Sequence, residues 1–206
     1  MDLDDQIDCF VFDFGGTLSS APYFLVVPEQ CSNWRALFDQ YVFGDGDLFD
    51  RWMTGQVSAR DIAEMMAGHT QMAVSDVLLW MEKGLRDLPL NRAVDQLAIA
   101  AKKRGKKTIL VTGNIDLFST VVVPDLKLED KFDVIVNSAD YGELRKRVTW
   151  PIAFEKVGGS VGYNNSFLIE DSFSNVELFR KLGGVAYHYR SDEGLLVWLD
   201  DVGFVL

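Results

Sequence analysis

The sequence predicts an α/β protein, a doubly wound, Rossmann-like parallel sheet with helices on both faces and a helical segment inserted after the first strand. Three observations carry this expectation. Five short apolar runs recur along the 206 residues, separated by helix-patterned stretches, and that alternation is the pattern of a parallel sheet. Several of the runs end on carboxylates, hydroxyls and glycines, and in an open parallel sheet the ligand site lies at the carboxyl ends of the strands. Between residues 20 and 89 the strand signals vanish and helical ones replace them.

Residues Ile7 to Asp13 read IDCFVFD, a nearly continuous apolar run as expected of a strand buried on both faces. The other strand candidates are Lys107 to Thr112, Phe132 to Ser138, Ser166 to Asp171 and Val185 to Tyr189. Ahead of the second run, Asn91 is a good cap, Val94, Leu97, Ala98 and Ala101 form an apolar stripe, and basic residues followed by Gly105 mark the end of a helix. In the insertion, helices are expected over Asn33 to Val42, Leu48 to Met53, Ser58 to Ala67 and Ser75 to Arg86. The third carries a capping box, Ser58 with Asp61, and a stop at Gly68. The resulting division is a discontinuous core, residues 1–19 and 90–206, and a four-helix cap, residues 20–89. Trp34, Trp52, Trp80, Phe38, Phe43 and Phe49 recur at helical spacing and are expected to form a small cap core. The tail ends in a helical stretch, Leu195 to Leu199, with Trp198 on its apolar side.

Composition narrows the function classes. The hydrophobic fraction of 48% and charged fraction of 25% are those of a folded globular protein. A net charge of -11 repels phosphate backbones and anionic bilayers, which argues against nucleic acid and membrane as partners. The insertion holds ten acidic against five basic residues, so a small substrate suits it better than a large polyanion. Residues Met1 to Asp8 lack the basic and apolar regions of a signal peptide, and no apolar stretch approaches membrane-spanning length, so a cytoplasmic location is expected. Cys9 and Cys31 lack CxxC spacing and are expected to be free thiols. His69 and His188 stand in no ligand-spaced cluster and read as structural.

The chemistry-bearing residues leave the strands. The first run ends Asp13-Phe14-Gly15-Gly16-Thr17-Leu18, the second Thr112-Gly113-Asn114, and the fourth Glu170-Asp171-Ser172. In this order, with helices after the first, they resemble the four motifs of the haloacid dehalogenase (HAD) superfamily across nearly the whole chain. The resemblance implies that Asp13 is a nucleophile accepting a phosphoryl group as an aspartyl phosphate. It implies that Thr112 binds the phosphate with the backbone of Gly113 and Asn114, and that Gly16 belongs to the same phosphate-binding set. Magnesium (Mg2+) would be held by Asp13, the backbone carbonyl of Gly15, Asp171 and Glu170, a sparse oxygen set of the kind Mg2+ takes. The third motif, SADYGELRKR, points to Lys146 as the cation that holds the phosphoryl group; Arg147 stands where the family has proline, and Arg145 and Arg147 remain alternatives.

Gly15 is the main departure from the family pattern. Most family phosphatases carry there a second Asp that protonates the leaving group, and such assistance is worth about a hundred- to ten-thousandfold. A glucose-1-phosphate phosphatase branch resembles this chain in that Gly and in a cap stretch like Trp52-Met-Thr-Gly55-Gln-Val-Ser58, which implies a substrate with an easily departing group. Dehalogenases of the superfamily also lack the Asp but use no metal, and Glu170-Asp171 counts against them. The phosphonate-cleaving branch needs a cap lysine, for which only Lys83 is present. The expected function is therefore a Mg2+-dependent phosphatase, monomer or homodimer, acting on a small phosphorylated metabolite. The alternative from another class is a catalytically weak or inactive phosphate-binding regulatory module.

Overall fold

The computed structural model describes residues 6–206. Five strands, Cys9–Phe12 (β1), Lys107–Thr112 (β2), Val134–Asn137 (β3), Ser166–Glu170 (β4) and Val185–His188 (β5), form one all-parallel sheet in the order β3-β2-β1-β4-β5. The main helices are Trp34–Phe38 (α1), Gly46–Met53 (α2), Ala59–Thr70 (α3), Val74–Lys83 (α4), Arg92–Lys103 (α5), Lys146–Val157 (α6), Phe173–Lys181 (α7) and Asp192–Asp201 (α8). The chain is thus α/β, with strand order reversing about β1, and the carboxyl ends of β1, β2 and β4 lie side by side.

The period-2 geometry of a strand sorts β1 between two layers. Phe10 and Phe12 pack on one face with Val94, Leu97, Ala98 and Ala101 of α5 and with Leu195 and Leu199 of α8. Cys9 and Val11 pack on the other with Trp150 and Ala153 of α6 and with Val176 and Phe179 of α7. All four β1 side chains are fully buried; each large one stabilises the fold by about 1.5–3 kcal/mol, which is why the run is apolar without alternation. Trp198 of α8 stacks on Phe167 of β4, ring centroids 4.9 Å apart. Both cysteines are free and buried. No described helix is long and apolar enough to cross a membrane.

The insertion departs from the expected boundaries in instructive ways. Helix α3 has its capping box, Ser58 N–H donating to Asp61 at 2.8 Å and Asp61 N–H to Ser58 Oγ at 3.2 Å, but it runs through Gly68 and ends at Gln71 in the left-handed region, φ 56°. Gly68 has no Cβ contact to avoid and its helical geometry is tolerated, so it does not act as the stop. The first helix is only five residues before a wide π turn over Asp39–Phe43. Asn91 precedes α5 but caps nothing; its amide donates to Thr17 O (2.7 Å) and Ser20 Oγ (3.0 Å), tying α5 to the loop that leaves β1. Trp34, Phe38 and Trp52 are buried in a cluster continuous with the α5 face of the sheet, not in a separate core.

The contact between insertion and sheet is also polar. Asp116, in the loop after β2, accepts from Trp52 Nε1 and from the Ala59 N–H at the start of α3, each at 2.8 Å. Ser138 Oγ donates to Met53 O at 2.6 Å. Gly55, at φ +66°, lies so close to the Ala139 carbonyl that a Cβ would stand 2.3 Å from its oxygen, which explains the glycine. Replacing Asp116 with Ala leaves an indole N–H and a helix N–H unpaired; urea unfolding should register a loss of about 2 kcal/mol, and a smaller loss for Asp116→Asn, which keeps one acceptor.

Candidate active site

Asp13 follows β1 directly, and its N–H bonds to Ile169 O of β4 at 3.1 Å, so its carboxylate sits beside Glu170, the last residue of β4, and Asp171. Oxygens of Asp13, Glu170 and Asp171 lie within 4.8 Å of one another. Lys146, the first residue of α6, reaches them from the helix layer that covers Cys9 and Val11. Its Nζ lies 2.6 Å from Asp13 Oδ1 and 3.6 Å from Glu170 Oε2, and it also donates to Val111 O of β2. Of the competing bases, Arg145 pairs with Glu143 (2.5 Å) and Arg147 is exposed. The structure therefore brings Lys146, not its neighbours, to Asp13.

One ammonium cannot compensate this many carboxylates. Burial pushes Asp13 above the ordinary carboxylate range against the pull of Lys146, and burial together with the charge of Asp13 pushes Glu170 up to about 7. Burial works to lower the Lys146 ammonium, but Asp13 and Glu170 outweigh it and the lysine holds its proton more firmly than usual. A divalent cation would supply the missing positive charge, and an all-oxygen donor set suits a hard ion such as Mg2+. Thr112 ends β2, buried, with a hydroxyl that finds no partner among the described residues. A buried unpaired hydroxyl costs roughly 1–3 kcal/mol, which a ligand oxygen at the strand ends would offset.

The glycines differ in their reasons. Gly16 is left-handed, φ +71°, and its missing Cβ would stand 2.4 Å from Asp171 Oδ2; around Gly15 nothing lies within 4 Å. Beside them opens a cleft of about 360 Å³, lined by Gly15, Gly16, Gly113 and Asn114 from the strand ends and by Tyr23, Arg35, Phe43, Phe49 and Met53 from the insertion. Asn114 departs from the expectation of a phosphate-binding amide. Its N–H is donated to Ser138 Oγ (2.8 Å) and its side-chain amide to Tyr23 Oη (2.8 Å), leaving Gly113 as the approach for a ligand on this loop.

No protein-family model and no curated protein matches the sequence. Solved structures do match the fold. A predicted HAD-like hydrolase from Porphyromonas gingivalis superposes with a TM-score of 0.68 at 16% identity, covering 98% of this chain and 100% of that one. A HAD family enzyme from Bacteroides thetaiotaomicron gives 0.66 at 17%, covering 90% and 94%. The chain has the haloacid dehalogenase fold. The Bacteroides enzyme has also been solved in complex with magnesium and inorganic phosphate. An L-2-haloacid dehalogenase from Xanthobacter autotrophicus, with chloropropionic acid covalently bound, shares the HAD fold at a TM-score of 0.56 and 15% identity, covering 97% and 85%.

On this HAD framework three further residues stand at the site without having been given a role there by the sequence. Tyr23 lines the cleft, Ser138 joins the Gly113 loop to the insertion, and His188, read as structural, has Nε2 2.8 Å from Asp171 O and so holds the backbone of a candidate ligand. Nothing in a lone Tyr marks such a position, but Ser138 opens the SADYGELRKR stretch matched to the third motif, and His188 pairs in register with Glu170, a neighbour relation that the strand alignment could have exposed.

Two measurements follow from these contacts. Gly16→Ala should destabilise the fold by about 2 kcal/mol or more through φ strain and the clash with Asp171, whereas Gly15→Ala, in open space, should change unfolding by less than about 1 kcal/mol. The second concerns pH. Because the folded-state pKa of Glu170 is raised, its protonated form contributes stability that is fully present below the unfolded value near 4.5 and is lost as pH rises through about 7. In EDTA the wild type should therefore lose stability between pH 5 and 8 relative to Glu170→Gln, on the order of 2 kcal/mol, and Mg2+ should restore most of it by binding the ionised site; denaturant titrations at each pH read both.

Proposed function

We propose that this protein is a Mg2+-dependent hydrolase of small phosphomonoesters that works through an aspartyl phosphate on Asp13. The observation that carries the reading is the cluster itself: Asp13, Glu170 and Asp171 within 4.8 Å of one another, with Lys146 Nζ 2.6 Å from the Asp13 carboxylate. Bound there, Mg2+ would neutralise the substrate phosphate and orient it toward Asp13. Glu170 and Asp171 would hold the ion with Asp13, and the Gly15 carbonyl is proposed as a further ligand. Thr112 and the Gly113 backbone bind the phosphate oxygens, Gly16 lets its loop approach, and Lys146 stabilises charge on the transferring group while orienting the nucleophile. Asp13 attacks phosphorus, the ester oxygen departs, and water hydrolyses the aspartyl phosphate. The complexes of the Bacteroides enzyme with magnesium and inorganic phosphate support this reading, and the three-carboxylate cluster favours it over a metal-free dehalogenase.

The cleft beside Gly15 and Gly16 has room for a small organic group, and the negative insertion favours a singly phosphorylated metabolite over a polyanion. Asp13→Asn should abolish Mg2+-dependent hydrolysis of p-nitrophenyl phosphate while leaving the unfolding transition in place; unchanged turnover would sink the nucleophile assignment. With Gly15 unable to donate a proton, the wild type should hydrolyse a sugar 1-phosphate at least about tenfold faster than the matching 6-phosphate. Paired kcat/KM values test this, and a preference for the 6-phosphate would remove the inference from Gly15.

A further inference from the structure

The side chain that a phosphatase of this kind would use beside its nucleophile is missing at Gly15, yet the cleft contains a hydroxyl whose hydrogen is uncommitted. Asn114 Oδ1 accepts from the Ile115 N–H at 2.9 Å, which fixes the amide so that its amino group faces Tyr23. That amino group donates to Tyr23 Oη at 2.8 Å. The phenol oxygen is thus the acceptor in this bond, and its own hydrogen meets no acceptor among the described residues. Tyr23 lines the same cleft as Gly15, Gly16 and Gly113.

The backbone around Tyr23 is held in a costly arrangement. Phe24 occupies the left-handed region, φ 60°, which a bulky residue rarely adopts. Its ring is kept there by packing against Phe38 (4.9 Å) and by stacking on Trp52 (6.2 Å). Arg35 Nη1 donates to Tyr23 O at 2.6 Å, and Arg35 is itself tied to Asp39 through Nε at 2.9 Å. Strain of this kind persists where surrounding contacts enforce it, and it gathers at functional sites. Beside it, hydrogen bonds hold Tyr23 at two points, its backbone carbonyl by Arg35 and its phenol oxygen by Asn114.

Resting on the phosphatase reading, we propose that Tyr23 is a catalytic residue that donates its phenolic hydrogen bond to the leaving-group oxygen, taking the place of the side chain absent at Gly15. As the Asp13 oxygen bonds to phosphorus, the phosphorus–ester bond breaks and its electron pair stays on the departing oxygen, where Tyr23 stabilises it. That oxygen takes a proton from water, and the hydroxide so formed attacks the aspartyl phosphate to release phosphate and regenerate Asp13. Burial, opposed by the Asn114 hydrogen bond and reinforced by the charge of Asp13, pushes the phenol above its ordinary range, which keeps it a donor throughout.

The test compares leaving groups in the wild type and Tyr23→Phe with saturating Mg2+. The variant should lose about thirtyfold in kcat/KM on an alkyl phosphate, whose alcohol departs poorly, and less than about threefold on p-nitrophenyl phosphate, so that the dependence on leaving-group acidity steepens. Equal loss on both esters, or no loss on the alkyl phosphate, overturns the assignment of Tyr23 while leaving the phosphatase intact. A folded wild type that hydrolyses no phosphomonoester with Mg2+ overturns the phosphatase reading itself.

Discussion

A lysine ammonium buried among carboxylates is the constraint around which the strand ends are arranged. Lys146 contributes little exposed surface, and so do Asp13 and Glu170; such charges are tolerable only when they are paired, because desolvating an isolated one costs several kcal/mol. The pairing requires β1, β4 and the start of α6 to meet within a few ångströms. The strand order supplies that meeting, since β1 lies between β2 and β4 and α6 crosses from β3 back to β4. Removing Lys146 would leave Asp13 and Glu170 buried without a counter-charge, so the cation on α6 ties the site to the layer of helices that covers this face of the sheet.

Much of this was legible in the sequence because it depends on short-range pattern. Apolar runs mark which segments become strands, and the polar residues at their ends include Asp13, Thr112, Glu170 and Asp171. Among the three adjacent bases, residue type alone leaves the choice open; it is the first turn of α6 that carries Lys146 inward while Arg145 turns to Glu143. The stop expected at Gly68 falls instead at Gln71 for a similar reason. A glycine permits a helix end without requiring one.

What was not legible arises from long-range contact. Tyr23 and Asn114 are 91 positions apart, and Asp116 meets Trp52 across 64; neither pair has a local signature. The Asn114 amide looked available for a ligand because its partner, Ser138, lies beyond β3. Likewise the aromatic residues of the insertion show helical spacing, but only the folded chain reveals that they continue the α5 face of the sheet. The stretch from Trp52 to Ser58, which resembles a family cap segment, is the seam between insertion and sheet, holding the bonds to Asp116 and Ser138 and the tight approach of Gly55 to Ala139.

That seam has a mechanical consequence. Ser138 Oγ accepts the Asn114 N–H from the loop after β2 and donates its own hydrogen to the Met53 carbonyl, so a single hydroxyl clasps both sides of the cleft. Through that one oxygen the Gly113–Asn114 backbone on the floor of the cleft and the end of α2 on its wall are held two hydrogen bonds apart, so the width of the cleft at this point is set by a single side chain.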